Sequence, residues 1–516
     1  MRARIVLFVI LFLCFLVVGF PALAQIPPVQ DKLKPPSSPG CSLESVCAEV
    51  APDMIKSALG DSPLELNLRY LTDVIGGRMT GSAAADRAVD WAVQAFRFAG
   101  VDEVHTEKFT VPVKWSEGAT RLDVLSPDPF PVRLVSIGWS PGTPEGGVTA
   151  DVVDVGQGDD AGFAHAASAA RGAILLVHSG AFATWEDLDN EYTLRRAVLG
   201  RVIQSGAAAV LWTSTRPHLL LYRHNISTDG QLEPLPQAIV AREDAERMAR
   251  LLSAGVKLRV HLLIPNHVGG PFESENVVAE IRGREKPEEF VMLGAHLDSW
   301  DLGTGALDNG CNAALVIDVA RVIRASGVVP RRSIRFVLFT GEEQGELGSW
   351  AYAKAHREEL DNLGAVIVYD AGNGRVTGYS LGGRKDVLNA VNQVLEPAKP
   401  LGPLVQTTDV QSGSDHDEFM LQGVPTLFAN QEPANYMPNY HAASDTFDKV
   451  DIPQLKRNIA LAAITAFGIA DAPARIGKRQ SRAEIEALLK ETGLDREMQA
   501  TGLWADWLSG ARGRKP

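Results

Sequence analysis

The sequence predicts an α/β protein: a mostly parallel sheet covered by helices on both faces, interrupted by a smaller inserted β/α domain. Three observations carry this expectation. From about Glu275 onward, near-continuous apolar runs alternate with helical segments, the pattern of a sheet buried on both faces. Between 142 and 267 the texture changes to short β-rich runs separated by alanine-rich helices, which reads as an insertion. Four of the later apolar runs end on, or run into, a residue able to bind a metal.

In chain order, residues 1–24 read as a signal peptide. Arg2 and Arg4 precede the apolar stretch IVLFVILFLCFLVVGF, and Ala22-Leu23-Ala24 supplies a small-residue cleavage site before Gln25. This predicts a secreted or periplasmic protein with no membrane span once the signal is removed. The proline-rich QIPPVQDKLKPPSSPG opens a linker over 25–43. Cys14 leaves with the signal. Cys41 and Cys47 close the short stretch CSLESVC and are expected to pair in an oxidising compartment, which leaves Cys311 unpaired and buried. Three cysteines without a CxxC pair cannot build a thiolate zinc site, so any such metal must use histidine and carboxylate.

The main domain starts over 44–141, where AADRAVDWAVQAFRFAG is its clearest helix: Val89, Val93, Phe96 and Gly100 recur at helical spacing, with Gly100 as the C-cap. The insertion occupies 142–267. The main domain resumes over 268–471 with strands NVVAEI, EFVMLGA, SIRFVLFT, AVIVYD and VPTLFAN. Its last long helix is opened by an Asp451 cap and Pro453. Residues 472–516 read as a peripheral helix and a loose tail. At 516 residues the chain exceeds one ordinary core. Its net charge of −13 and lack of basic runs exclude nucleic acid as a partner.

Function in such sheets gathers at the carboxyl ends of strands. Here one strand ends on His296, the next runs into Glu342-Glu343, another ends on Asp370, and a fourth leads to the loop holding His441. Asp308 sits between the first of these strands and its helix. Imidazole and carboxylate suit zinc, and the carboxylates are too many for one tetrahedral ion, which suggests two metals sharing a bridging carboxylate. His296 and Asp298 lie two residues apart in extended chain and face the same way, so Asp298 can orient the imidazole. Glu342 and Glu343 point apart, which suits one ligand and one proton shuttle; spacing alone does not say which is which.

HLDSWDLGTGALDNG, FTGEEQGELGS and YDAG resemble the family of co-catalytic di-zinc exopeptidases, its carboxypeptidase branch in particular; the family also includes bacterial leucyl aminopeptidases. The likeness extends through VIGGRMTGS, GTPEGGVTADV and RGAILLV and spans roughly 64–470. It implies two zinc ions per chain, one on His296, Asp308 and Asp370 and the other on Asp308, Glu343 and His441. It further implies Asp298 behind His296, Glu342 as general base, and a cis Asp308–Asn309 peptide. The insertion would be a protease-associated domain, the substrate a dipeptide or short peptide, and the protein a secreted dimer. SGSDHDEF is closer to the aminopeptidase branch, so an aminopeptidase is the alternative. Asp415, His416 and Tyr440 are candidates for the substrate side. A metal-free receptor or scaffold of the same fold is the alternative of another class, opposed here by the full set of ligand residues.

Overall fold

The computed structural model describes residues 49–515; the expected signal peptide, the expected linker up to 43 and the expected pairing of Cys41 with Cys47 lie outside the described residues. The main sheet has seven strands: β1 (Glu103–Val111), β2 (Phe272–Ile281), β3 (Lys286–His296), β4 (Arg332–Phe339), β5 (Leu363–Val368), β6 (Val376–Ser380) and β7 (Thr426–Gln431). Their spatial order is β1-β2-β4-β3-β5-β7-β6. The four central strands β4, β3, β5 and β7 run parallel. The outer strands β1, β2 and β6 are antiparallel to their neighbours.

The sheet is therefore mixed rather than mostly parallel, and connection lengths explain why. The turns between β2 and β3 and between β5 and β6 are too short for the crossover that a parallel return requires. Along β3, residues alternate between the two faces. Val291, Leu293 and Ala295 pack under helices α1 (Ala51–Leu59), α2 (Ala83–Ala99), α3 (Cys311–Ala325) and the long C-terminal Ile452–Asp471. Phe290 and Met292 face the opposite layer, with Tyr352 and Phe419. α2 starts at a Ser82 cap; it ends at Gly100 in the left-handed conformation, and Asp451 caps the last long helix, both as the sequence predicts.

A second seven-stranded sheet is built from residues 121–263, which take in most of the expected insertion. It begins at Arg121, upstream of the expected boundary at 142. Arg121–Ser126 pairs with Arg259–Leu263, and Leu134–Ser136 pairs with Gln237–Val240. Beyond 472 the chain is not loose: three helices fold back, and Trp507 is fully buried among Met420, Leu421, Ile485 and Leu489.

Candidate metal centre

Parallel register sets His296, the last residue of β3, opposite Phe339, the last residue of β4. Both strands thus open at one edge, β3 with its imidazole and β4 with the Gly341–Glu346 turn that carries Glu342 and Glu343. β5 delivers Asp370 to the same edge, and the chain beyond β7 returns with His441. Asp308 lies in the segment Ala306–Gly310 leading into α3, and its peptide to Asn309 is cis.

Six of these side chains meet. His296 Nε2 lies 3.1 Å from Asp370 Oδ1 and 3.2 Å from Asp308 Oδ1. His441 Nε2 lies 3.2 Å from Asp308 Oδ2 and 3.0 Å from Glu343 Oε2. The two oxygens of Asp308 therefore serve different imidazoles. Two ligand atoms bound to one tetrahedral zinc are about 3.3 Å apart, given bonds of about 2.0–2.1 Å, so these separations match ligand pairs. Glu342 Oε2 stands further off, 3.9 Å from His296 Nε2. One donor atom each from His296, Asp308 and Glu343 falls within 4.8 Å of the others, and so does one each from His296, Glu342 and Asp370. The two sets share His296, and Glu342 belongs to the second.

The surroundings hold this geometry in place. His296 Nδ1–H donates to the Asp298 carbonyl at 3.1 Å, and the Asp298 carboxylate lies 3.7 Å from the same nitrogen. That carboxylate accepts from the Thr80 hydroxyl at 2.9 Å and from the Glu342 amide at 3.4 Å, while Gly341 N donates to Thr80. Ser414 donates to the other oxygen of Asp370 at 2.6 Å. Asp445 accepts from the amides of Ala306, Leu307 and Asp308 and so fixes the segment carrying the shared aspartate. Buried Arg78 donates to the carbonyls of Leu297, Thr304 and Gly305 and ties down the loop between β3 and Asp308.

The charges do not balance within the protein. Burial pushes Glu343 up to about 7 against the pull of His441, with Asp308 adding to the rise. Burial likewise raises Glu342 well above the usual carboxylate range, opposed by His296 and reinforced by Asp370, Glu343 and Asp415. Burial would lower His441, but Glu343 and Asp308 outweigh it and carry the imidazole to about 9. Asp308 Oδ2 and Glu343 Oε1 are buried without a hydrogen-bond partner. Buried acids in excess of cations, with unspent donor atoms converging, fit divalent metal.

The candidates for the substrate side divide. Asp415 is buried beside the centre, and burial raises it to about 8. His416 points away: its Nε2 meets the Gln411 carbonyl at 2.9 Å and its ring packs on Phe428. Tyr440 stacks on His441 with ring centroids 3.7 Å apart, and its hydroxyl lies 3.3 Å from that of Tyr192 in the insertion. Sequence reasoning missed Arg78, Thr80, Tyr192, Ser414 and Asp445. Arg78 and Thr80 stand in VIGGRMTGS, far upstream, where no local pattern marks them; Asp445 is the aspartate of the DT pair after His441.

Residues 276–466 match Peptidase family M28. Mouse carboxypeptidase Q is 30% identical over 411 residues, covering 78% of this chain and 85% of its own. The crystal structure of a peptidase M28 precursor from Shewanella amazonensis SB2B superposes with a TM-score of 0.76 at 27% identity, covering 85% of this chain and all of that one. A zinc aminopeptidase from Bacillus subtilis shares the fold, with a TM-score of 0.63 at 21% identity over 78% of this chain and 93% of that one.

Proposed function

The chain belongs to peptidase family M28, and from that premise we propose that it is a secreted or periplasmic di-zinc exopeptidase hydrolysing dipeptides or short peptides. One observation carries the two-metal reading: the oxygens of Asp308 each stand 3.2 Å from a different imidazole. His296, Asp308 and Asp370 would hold one zinc, and Asp308, Glu343 and His441 the other. Bound zinc supplies Lewis-acid polarisation of the scissile carbonyl and lowers the pKa of water at the site.

The remaining work falls to side chains. Glu342, set back from the closest donor pairs, takes the proton of the attacking water and hands it to the leaving amine. Asp298 holds the His296 ring in one orientation through the Nδ1 side. The insertion, in the role of a protease-associated domain, closes the substrate side with Tyr192 against Tyr440. Export rests on the leader read at 1–24, and among the described residues no helix is long and apolar enough to cross a membrane. A homodimer is part of the same proposal.

A second reading, aminopeptidase rather than carboxypeptidase, has a specific observation behind it. Asp415, buried beside the centre and assigned neither to a metal nor to proton transfer, leaves a carboxyl there that suits a free ammonium group. The nearby guanidinium of Arg216 is engaged with Thr215, Tyr440 O and Glu191. Metal analysis and a dipeptide panel test both readings. About two zinc ions per chain are expected, and about one at full activity removes the sharing role of Asp308. Cleavage of N-blocked but not C-blocked dipeptides supports the carboxypeptidase, and the converse supports the aminopeptidase.

A further inference from the structure

The C-terminal segment, beyond the residues that match the family, reaches the centre from behind. Trp507 anchors it on Met420 and Leu421. Arg514 N donates to the Leu421 carbonyl at 2.9 Å, and the Trp350 indole donates to the Ala511 carbonyl at 3.2 Å. On the insertion side, Arg196 donates to the carbonyls of both Thr501 and Ile226.

The key group is Arg512. It is buried, and its guanidinium lies 4.5 Å from the Trp350 ring centroid. One nitrogen donates to Glu418 Oε1 at 2.6 Å; the other donates to the carbonyls of Gly345 at 3.0 Å and Thr228 at 3.1 Å. Gly345 closes the turn that carries Glu342 and Glu343: its amide and that of Glu346 both donate to the Glu342 carbonyl at 2.8 Å. That turn is pressed against the insertion, since a Cβ on Gly345 (φ +110°) would lie 2.1 Å from the Thr228 carbonyl oxygen. Glu418 sits four residues after Ser414, which holds Asp370. A single planar cation therefore joins the glutamate turn, the segment behind Asp370 and the insertion.

We propose that the C-terminal segment is a strap and that Arg512 is a positioning residue, setting the Glu342–Glu343 turn against Asp370. A guanidinium meets these three acceptors from two nitrogens held apart in one plane, whereas an ammonium offers its three donors from a single point. The kinetic half of this inference rests on the peptidase reading; the hydrogen-exchange half does not.

The test compares the full-length zinc enzyme with Arg512→Ala and Arg512→Lys, by steady-state kinetics, zinc content and amide hydrogen exchange. Arg512→Ala is expected to keep its zinc and lower kcat about 10- to 100-fold with KM within about 2-fold, the cost of a small misplacement of reacting groups. Amides of 341–347 should exchange at least about 10-fold faster while those of α2 stay unchanged, as local loosening requires. Millimolar methylguanidinium should restore part of kcat, and Arg512→Lys should fall between wild type and Ala. Should the Ala variant not fold, the Lys variant carries the same two readouts. Wild-type kcat in the variant, or exchange that rises equally in α2, overturns the strap. A wild-type enzyme that cleaves no peptide overturns the peptidase reading instead, and exchange in 341–347 still decides the strap.

Discussion

Two buried acidic clusters flank Tyr440–His441, and burial has opposite outcomes in them. In the insertion, Glu191 lies 2.7 Å from Arg195 and 3.6 Å from Arg216, and it accepts from Thr215 and from the Tyr222 hydroxyl. Burial would raise this carboxyl, yet Arg195, His224, Arg216 and the Tyr222 hydroxyl hold it near 2. In the metal centre, Glu343 is as deeply enclosed and stands at about 7, with His441 its main opposing charge. The difference lies in the supply of positive charge. The insertion cluster carries guanidinium groups bonded directly to its carboxylate, whereas Arg78 beside the centre is spent on backbone carbonyls and the centre leaves its carboxylates to be balanced by something bound. The first is built to stay shut, the second to take cations.

The largest expected effect separates two neighbours within the centre. Glu342→Gln should keep both zinc ions and lower kcat by about 100- to 10,000-fold, the usual worth of a general acid–base group, with little change in KM. Glu343→Gln should lose metal before anything else. Zinc content measured beside kcat decides the matter: if Glu342→Gln sheds a metal and Glu343→Gln retains both, the two roles must be exchanged.

The insertion cluster should answer to pH instead. The folded pKa of Glu191, about 2, lies below the ordinary 4.5. Its stabilisation is therefore fully present above about pH 4.5 and is lost as pH falls toward 2. Glu191→Gln should cost about 3 kcal/mol at pH 7, the worth of such a shift and of a broken buried pair. Urea unfolding of wild type and variant should converge as the pH approaches 2. A difference that stays constant between pH 7 and pH 3 would mean that packing, not charge, holds this cluster.

A smaller effect is expected at Thr80, which links the two strand ends by accepting from Gly341 N and donating to Asp298. Thr80→Val strands both partners, at about 1–3 kcal/mol of stability. A fall in kcat of about 10-fold with zinc retained should accompany it, because the His296 support loosens without loss of a ligand. Unchanged kcat would confine Thr80 to holding the fold.

What was legible in the sequence follows the range of the interactions. Apolar runs ending in His296, Asp370 and Glu342-Glu343 are local signals, and the structure gathers those residues with Asp308 and His441 at one sheet edge. The antiparallel directions of β2 and β6 were also written locally, in the short turns before β3 and after β5, but hydropathy is blind to strand direction. The start of the second sheet at Arg121 was not readable, because Arg121–Ser126 is defined by pairing with Arg259–Leu263 far downstream. Arg78 and Thr80 act across 218 or more residues and leave no spacing pattern behind. His416 misled through adjacency: it follows Asp415 in sequence, but the helix it opens turns its ring onto Phe428.

The smallest effect is expected at Tyr440, the residue on the boundary between the two clusters. Its ring is stacked on His441, its carbonyl accepts from Arg216 of the insertion at 3.2 Å, and its hydroxyl meets that of Tyr192 at 3.3 Å. A hydroxyl committed to another, in a part-buried pair, serves to close the insertion against the centre, whereas a donor for the developing oxyanion would need to face the reacting carbonyl. Tyr440→Phe keeps the stack and the backbone contact and removes only the hydroxyl pair. It should therefore cost about 0.5–1.5 kcal/mol of stability, with kcat within about 3-fold of wild type. Loss of an oxyanion donor would instead cost about 100- to 1,000-fold in kcat. The double variant Tyr192→Phe/Tyr440→Phe sharpens the reading: if the two hydroxyls serve only each other, its stability loss should fall short of the sum of the single losses. A kcat that collapses in Tyr440→Phe alone would move this tyrosine from the closed cluster to the reactive one.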